Sequence, residues 1–177
     1  MEKIDLGKKE AISEAGRIRE IRHGGDALVI GSDLLAKHLG RMGFHAESAP
    51  DFQKAPGGKY DAIALPYPCL DPKNLSGALT EAYGGLRLGG FLRVVLFNRE
   101  RCESCDPSRL PALALSMQEL IAMLTDAGFK SVVIDHRLFW REAMMAAGKR
   151  SPWLYAPWAW LRSRRAKGCI LAATAWK

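Results

Sequence analysis

Long apolar runs are missing from this sequence. No window approaches the roughly 20 consecutive apolar residues that carry a helix across a bilayer. The first twenty residues, MEKIDLGKKEAISEAGRIRE, also lack the apolar centre of a secretory signal, so a cytoplasmic protein is the default expectation. Histidine is sparse: His23, His38, His45 and His136 are scattered, and no two of them stand at a metal-ligand spacing. Internal repeats and low-complexity tracts are absent, which excludes solenoids and disordered arrays. Acids are almost absent from the last quarter. Between Arg137 and Lys177 nine bases face one acid, Glu142, whereas the remaining 136 residues carry 17 bases and 18 acids. The whole net charge of +7 therefore belongs to one end of the chain. A localised basic region points to an anionic surface or ligand, which an evenly basic protein would not.

What is present reads as an ordinary globular composition, 48% hydrophobic and 25% charged, over a length suited to one domain spanning 1–177. Residues 7–22 place Ile12, Ala15, Ile18 and Ile21 at approximately three-residue spacing, the pattern of an amphipathic helix ended by Gly24 and Gly25. Asp26 to Ile30 is a short apolar run of the buried-strand kind. Gly31-Ser32-Asp33 then turns the chain into a helix, Leu34 to Met42, with Leu35, Leu39 and Met42 on one face. Either Ser32 or Asp33 suits its N-cap, and Gly43 its stop. Phe44 to Ala49 is a second strand. The stretch from Pro50 to Gly58 is loop by composition. Further on, Ser116 with Glu119 has the capping-box pattern for a helix to Ala127, Val132 to Ile134 is a strand, and Cys169 to Trp176 a final one.

Residues 59–98, KYDAIALPYPCLDPKNLSGALTEAYGGLRLGGFLRVVLFN, organise the rest. Two apolar runs, Tyr60 to Leu65 and Phe91 to Phe97, flank a helix-forming segment and a turn at Arg87-Leu88-Gly89-Gly90, which reads as a β-α-β unit in a parallel sheet. The wording resembles the class I S-adenosylmethionine-dependent methyltransferases. In that family an aspartate opens the fourth strand, and a helix ends in leucine-x-x-glycine-glycine before the fifth. Here Asp61 and Leu86 to Gly90 stand at those places. Ser116 to Leu120, leading to Asp126-Ala127-Gly128-Phe129, is similar to the stretch before the family's sixth strand. The match covers about residues 26–136 and 168–177.

The resemblance implies a three-layer α/β, Rossmann-like fold with a mostly parallel sheet of about six strands and the last strand antiparallel. It implies an S-adenosylmethionine site beyond the carboxyl ends of the strands. That site would comprise Gly31, Ser32 and Asp33 after the first strand, Asp51 after the second, and Leu65 with Pro66 at the end of the fourth. Asp51 as an ordinary exposed loop acid is the competing reading, and Glu47 is a weaker candidate for the same role. No residue is assigned to catalysis. The chain also departs from the family. Val29 stands where the family has an acid, the following turn has a single glycine, and only about a dozen residues separate Ser48 from Tyr60. At ~3.3 Å each they could reach roughly 40 Å, enough to recross the sheet but not to add the family's extra helix and strand. Leu65-Pro66-Tyr67-Pro68 lacks the asparagine of the amino-group methyltransferases, so no amine substrate is implied. Two functions stay open: a methyltransferase, and a non-catalytic pseudoenzyme that kept the fold as a binding or scaffold module.

Cys102-Glu103-Ser104-Cys105 is a single C-x-x-C, with Cys69 and Cys169 elsewhere. With the usual strand order all four thiols would share the carboxyl edge of the sheet, where Cys69, Cys102, Cys105 and Cys169 could form a tetrahedral zinc site. A redox pair and reduced thiols without a role are the alternatives. Residues 138–167 form an aromatic and basic insertion before the last strand. It holds four of the five tryptophans, and Arg162, Arg164, Arg165 and Lys167 follow them. Three readings apply: a lid over a pocket, peripheral contact with an anionic membrane through residues 152–167, or base stacking on a nucleic acid. The clustered bases trace no groove, which counts against nucleic acid. The tryptophans lean towards a small-molecule substrate that is hydrophobic or lipid-associated.

Overall fold

The computed structural model describes residues 8–50, 57–66, 72–100, 114–137 and 170–177. Its strands are β1 (Gly25–Ile30), β2 (Phe44–Ala49), β3 (Tyr60–Pro66), β4 (Leu86–Asn98), β5 (Ala114–Leu115), β6 (Ser131–Arg137) and β7 (Ile170–Trp176). The helices are α1 (Lys8–Ile21), α2 (Asp33–Arg41), α3 (Pro72–Gly85) and α4 (Met117–Asp126). The sheet runs β2-β1-β3-β4-β7-β6, with β5 pairing β4 off this path. β1 is parallel to both β2 and β3, β3 to β4, and β4 to β5. β7 runs antiparallel to both its neighbours, so among the described strands it alone is reversed. The expected six strands are all present. The seventh, β5, is two residues long, too short to leave a hydrophobic period in the sequence.

Alternation along the strands separates two cores. Ala27, Val29, Ala62, Ala64, Phe91, Val95 and Phe97 face α1 and α2, while Leu28, Ile63, Leu65, Leu92, Val94 and Leu96 face Leu75 and Leu79 of α3 and Leu120 and Leu124 of α4. Short helices are marginal alone, and each buried leucine contributes about 1.5–3 kcal/mol, so this packing holds them. Local signals set their ends. Ser32 accepts the Leu35 N–H at 3.3 Å and caps α2, settling the choice between Ser32 and Asp33. Ser116 and Glu119 make a complete capping box on α4. The carboxyl of Glu119 is held below its ordinary pKa, first by the Ser116 N–H and then by Arg99.

Two expectations are corrected. The buried stripe of α1 is Ala11, Glu14, Ala15 and Ile18, whereas Ile12 and Ile21 are exposed. The cause is Glu14, which turns inward to meet a buried arginine, Arg93. The second concerns Arg87 to Gly90, read above as a turn before the strand. β4 already begins at Leu86, and the pairing steps from Tyr60↔Leu86 to Ala62↔Phe91. The extra residues form a bulge inside the strand. Gly89 adopts a φ of 75°, and a Cβ on Gly90 would lie 2.9 Å from the Arg87 carbonyl oxygen. These demands explain the glycine pair.

Candidate functional site

The chain leaves β1 through α2 to β2 on one side, and β3 then pairs on β1's other side. The winding reverses there, and in an open α/β sheet such a switch point parts the loops and leaves a ligand crevice at the carboxyl ends. The sequence-predicted Gly31, Ser32 and Asp33 are brought together at this point. Gly31 has a φ of 82°, and its N–H donates to the Ala49 carbonyl at 2.8 Å, tying the turn to the end of β2. Ser32 is buried and spends its hydroxyl on the α2 cap. Asp33 accepts a hydrogen bond from the Ser48 hydroxyl, again across to β2.

Leu65 and Pro66 close β3 one strand away. Leu65 is buried in the core facing α3 and α4, so its side chain serves packing. Val29, at the position of the family's acid, is likewise fully buried. Asp51, the four cysteines Cys69, Cys102, Cys105 and Cys169, and the insertion 138–167 lie outside the described residues. Glu47, the weaker ribose candidate, is engaged elsewhere. The Lys59 ammonium contacts both its carboxylate oxygens, at 2.8 and 3.0 Å, and the Tyr60 hydroxyl donates to it at 3.0 Å. These partners, Lys59 first, hold its carboxyl below the ordinary range.

The aspartate that carried the resemblance stands at the opposite edge. Asp61 lies at the amino end of β3, buried, and accepts the Asp26 N–H at 2.9 Å. Arg22 meets its other oxygen at 2.9 Å, while Arg87 reaches Asp61 at 3.0 Å and Asp26 at 2.7 Å. Its role is therefore a clasp joining β1, β3 and β4, remote from the crevice. Sequence reasoning missed Asn98, the last residue of β4 and fully buried at the carboxyl edge. A polar residue closing an apolar strand is the signal that could have found it.

No protein-family model and no curated protein matches the chain. Solved structures do. A SAM-dependent methyltransferase from Archaeoglobus fulgidus superposes with a TM-score of 0.59 at 15% identity, over 97% of this chain and 95% of that one. An S-adenosylmethionine-dependent methyltransferase from Mesorhizobium loti gives 0.54 at 13% identity, over 97% and 100%. The [4+2]-cyclase SpnF gives 0.55 at 15% identity, over 94% and 80%. At these identities the likeness concerns backbone architecture, which also hosts different chemistries. With its switch point at β1, the parallel run from β2 to β4 and the reversed β7, the chain has the class I S-adenosylmethionine-dependent methyltransferase fold.

Proposed function

We propose that this chain is an S-adenosylmethionine-dependent methyltransferase. The Gly31-Ser32-Asp33 turn, Asp51 after β2 and the end of β3 at Leu65 and Pro66 would hold the cofactor. The observation that supports it most is the reversal of winding at β1, the place where open α/β sheets hold ligands, with Gly31 at positive φ in the turn that follows. The turn fits a ligand approached by backbone, and Asp33 brings a carboxylate to the same edge. When bound, S-adenosylmethionine supplies a methyl group on a sulfonium ion, open to displacement in line with an incoming nucleophile. The protein's share is positional: to align the nucleophile and exclude water, an effect worth up to about 7–11 kcal/mol without a dedicated base. Calorimetric titration with S-adenosylhomocysteine is expected to give saturable heat, and Gly31→Val to weaken binding at least about tenfold, because valine strains a positive φ. Absence of heat at millimolar ligand would remove this reading.

A second reading is favoured by one observation. Val29 is buried, and the side chains of Ser32 and Asp33 already have partners inside the protein. A non-catalytic binding module on the same fold requires no side chains free for a cofactor. The same titration decides between them.

The basic, tryptophan-rich residues 152–167 extend the proposal to an anionic membrane as a peripheral partner. Their flanking strand ends pair with each other and with β4: Arg137↔Ile170 and Phe97↔Ile170. Both described strand ends that flank residues 138–169 therefore lie at the carboxyl edge of the sheet. Among the described residues no helix is long and apolar enough to cross a membrane. Co-sedimentation with phosphatidylserine vesicles at low salt is expected, weakening as salt screens the bases. Equal binding to neutral vesicles, or none to anionic ones, would contradict it.

A further inference from the structure

We infer that Asn98 is a specificity-determining residue of the crevice. Its Nδ2 donates a hydrogen bond to an oxygen of the molecule that receives the methyl group, an inference that rests on the methyltransferase reading. Asn98 closes β4 and is fully buried. Its Oδ1 accepts the Glu100 N–H at 3.0 Å, which fixes the amide, since turning it over would set an NH2 group against that N–H. Nδ2 is thereby left with two donors and no acceptor among the described residues. A buried donor left unmade costs about 1–3 kcal/mol, and native proteins keep one where water, an ion or a ligand completes it.

Its position points to a ligand. The last pair between β3 and β4 is Pro66↔Val95, so Asn98 stands three residues beyond it, roughly 10 Å at ~3.3 Å per residue. It overhangs the end of β3 on the side away from Gly31. A cofactor held at the β1 turn leaves this side of the crevice to the second reactant. Neighbouring polar groups are committed: Ser116 and Glu119 to the α4 cap, and Arg99 to Glu119 at 2.6 Å. An enclosed amide donor accepts an oxygen-bearing ligand and rejects an analogue that leaves it unpaired, the strongest discrimination a small site can offer.

The test uses the fact that the chain has two asparagines, Asn74 and Asn98. Asparagine labelled with nitrogen-15 gives two side-chain amide signals, with exposed Asn74 as internal reference. Benzoate, benzamide and catechol, each added to protein saturated with S-adenosylhomocysteine, are compared with toluene. At least one oxygen-bearing probe is expected to shift the Asn98 signal and slow its exchange, while toluene does not. Asn98→Asp keeps the acceptor for Glu100 but loses the donor. It should bind S-adenosylhomocysteine normally and the probe about tenfold more weakly. Asn98→Ser serves if the aspartate does not fold. If S-adenosylhomocysteine binds but no probe moves Asn98, or the variants bind the probe unchanged, water alone completes Nδ2 and the inference falls. Failure of S-adenosylhomocysteine itself to bind would sink the methyltransferase reading, and is visible separately as missing heat.

Discussion

Glu14→Ala is expected to be among the most damaging single changes in this protein, lowering the unfolding free energy by about 3–5 kcal/mol. Glu14 on α1 and Arg93 in the middle of β4 are both almost wholly buried, and Nε donates to the carboxylate at 3.1 Å. Nη1 donates to the Thr174 hydroxyl at 2.7 Å and meets the half-exposed Asp135 at 3.5 Å. Nη2 has no acceptor among the described residues. Removing Glu14 takes away the buried counter-charge and leaves the guanidinium in a low-dielectric interior facing the half-exposed Asp135 at 3.5 Å. A solvent-screened contact of that length recovers only part of what the buried pair supplied. The companion variant Glu14→Leu with Arg93→Met removes both charges and should recover most of the loss, because a buried ion pair contributes little over well-packed apolar groups. Urea unfolding reads both: the midpoint falls for the single variant and returns for the double, with an unchanged slope. A single variant within about 1 kcal/mol of the parent, or a double as unstable as the single, would show that the pair does not carry this interface.

That pair also marks where the sequence stops being legible. Arg93 sits inside FLRVVLF, a run whose apolar neighbours identify a strand well. Nothing local says that its charge is buried, or that its partner stands 79 residues earlier. The helical stripe of α1 was misread for the same reason: spacing identified isoleucines, whereas Glu14 rotated the helix to put itself inside. Elements whose signals are local were readable. The caps at Ser32 and Ser116, the stop at Gly43 and the runs of β1, β2 and β3 all fell where residues within one turn dictate. The bulge in β4 needs the C-terminal strand to explain it, since the Lys177 N–H donates to the Gly90 carbonyl at 3.0 Å. The turn Gly31 to Asp33 was readable because a strand-turn-helix is a local object. Asn98 was not, because an unpaired donor is a property of packing.

Asp61 shows the same limit from the other side, since its motif was recognisable while its role required coordinates. Asp61→Ala is expected to cost about 2–4 kcal/mol, less than Glu14→Ala, because Arg22 and Arg87 are about half exposed and recover hydration. Most of the loss comes from the Asp26 N–H, which forfeits its acceptor. Asp61→Asn can keep that bond while surrendering the charge, so it should cost roughly half as much. Gly25 is coupled to this clasp. It adopts a φ of 120°, and a Cβ there would lie 2.4 Å from Asp61 Oδ2. Gly25→Ala thus meets both backbone strain of about 1–3 kcal/mol and a collision with a held carboxylate. In Gly25→Ala with Asp61→Ala the collision with the carboxylate is gone, while the strain and a 3.1 Å approach to the Cβ of residue 61 stay, so the double variant should lose at least about 1 kcal/mol less than the sum of the singles. Because the clasp is at the amino edge, S-adenosylhomocysteine affinity measured well below the unfolding midpoint should be the same in Asp61→Asn as in the parent. Strict additivity would mean that Gly25 and Asp61 do not meet as described. A folded Asp61→Asn that lost the ligand would place the acid in the crevice instead of opposite it.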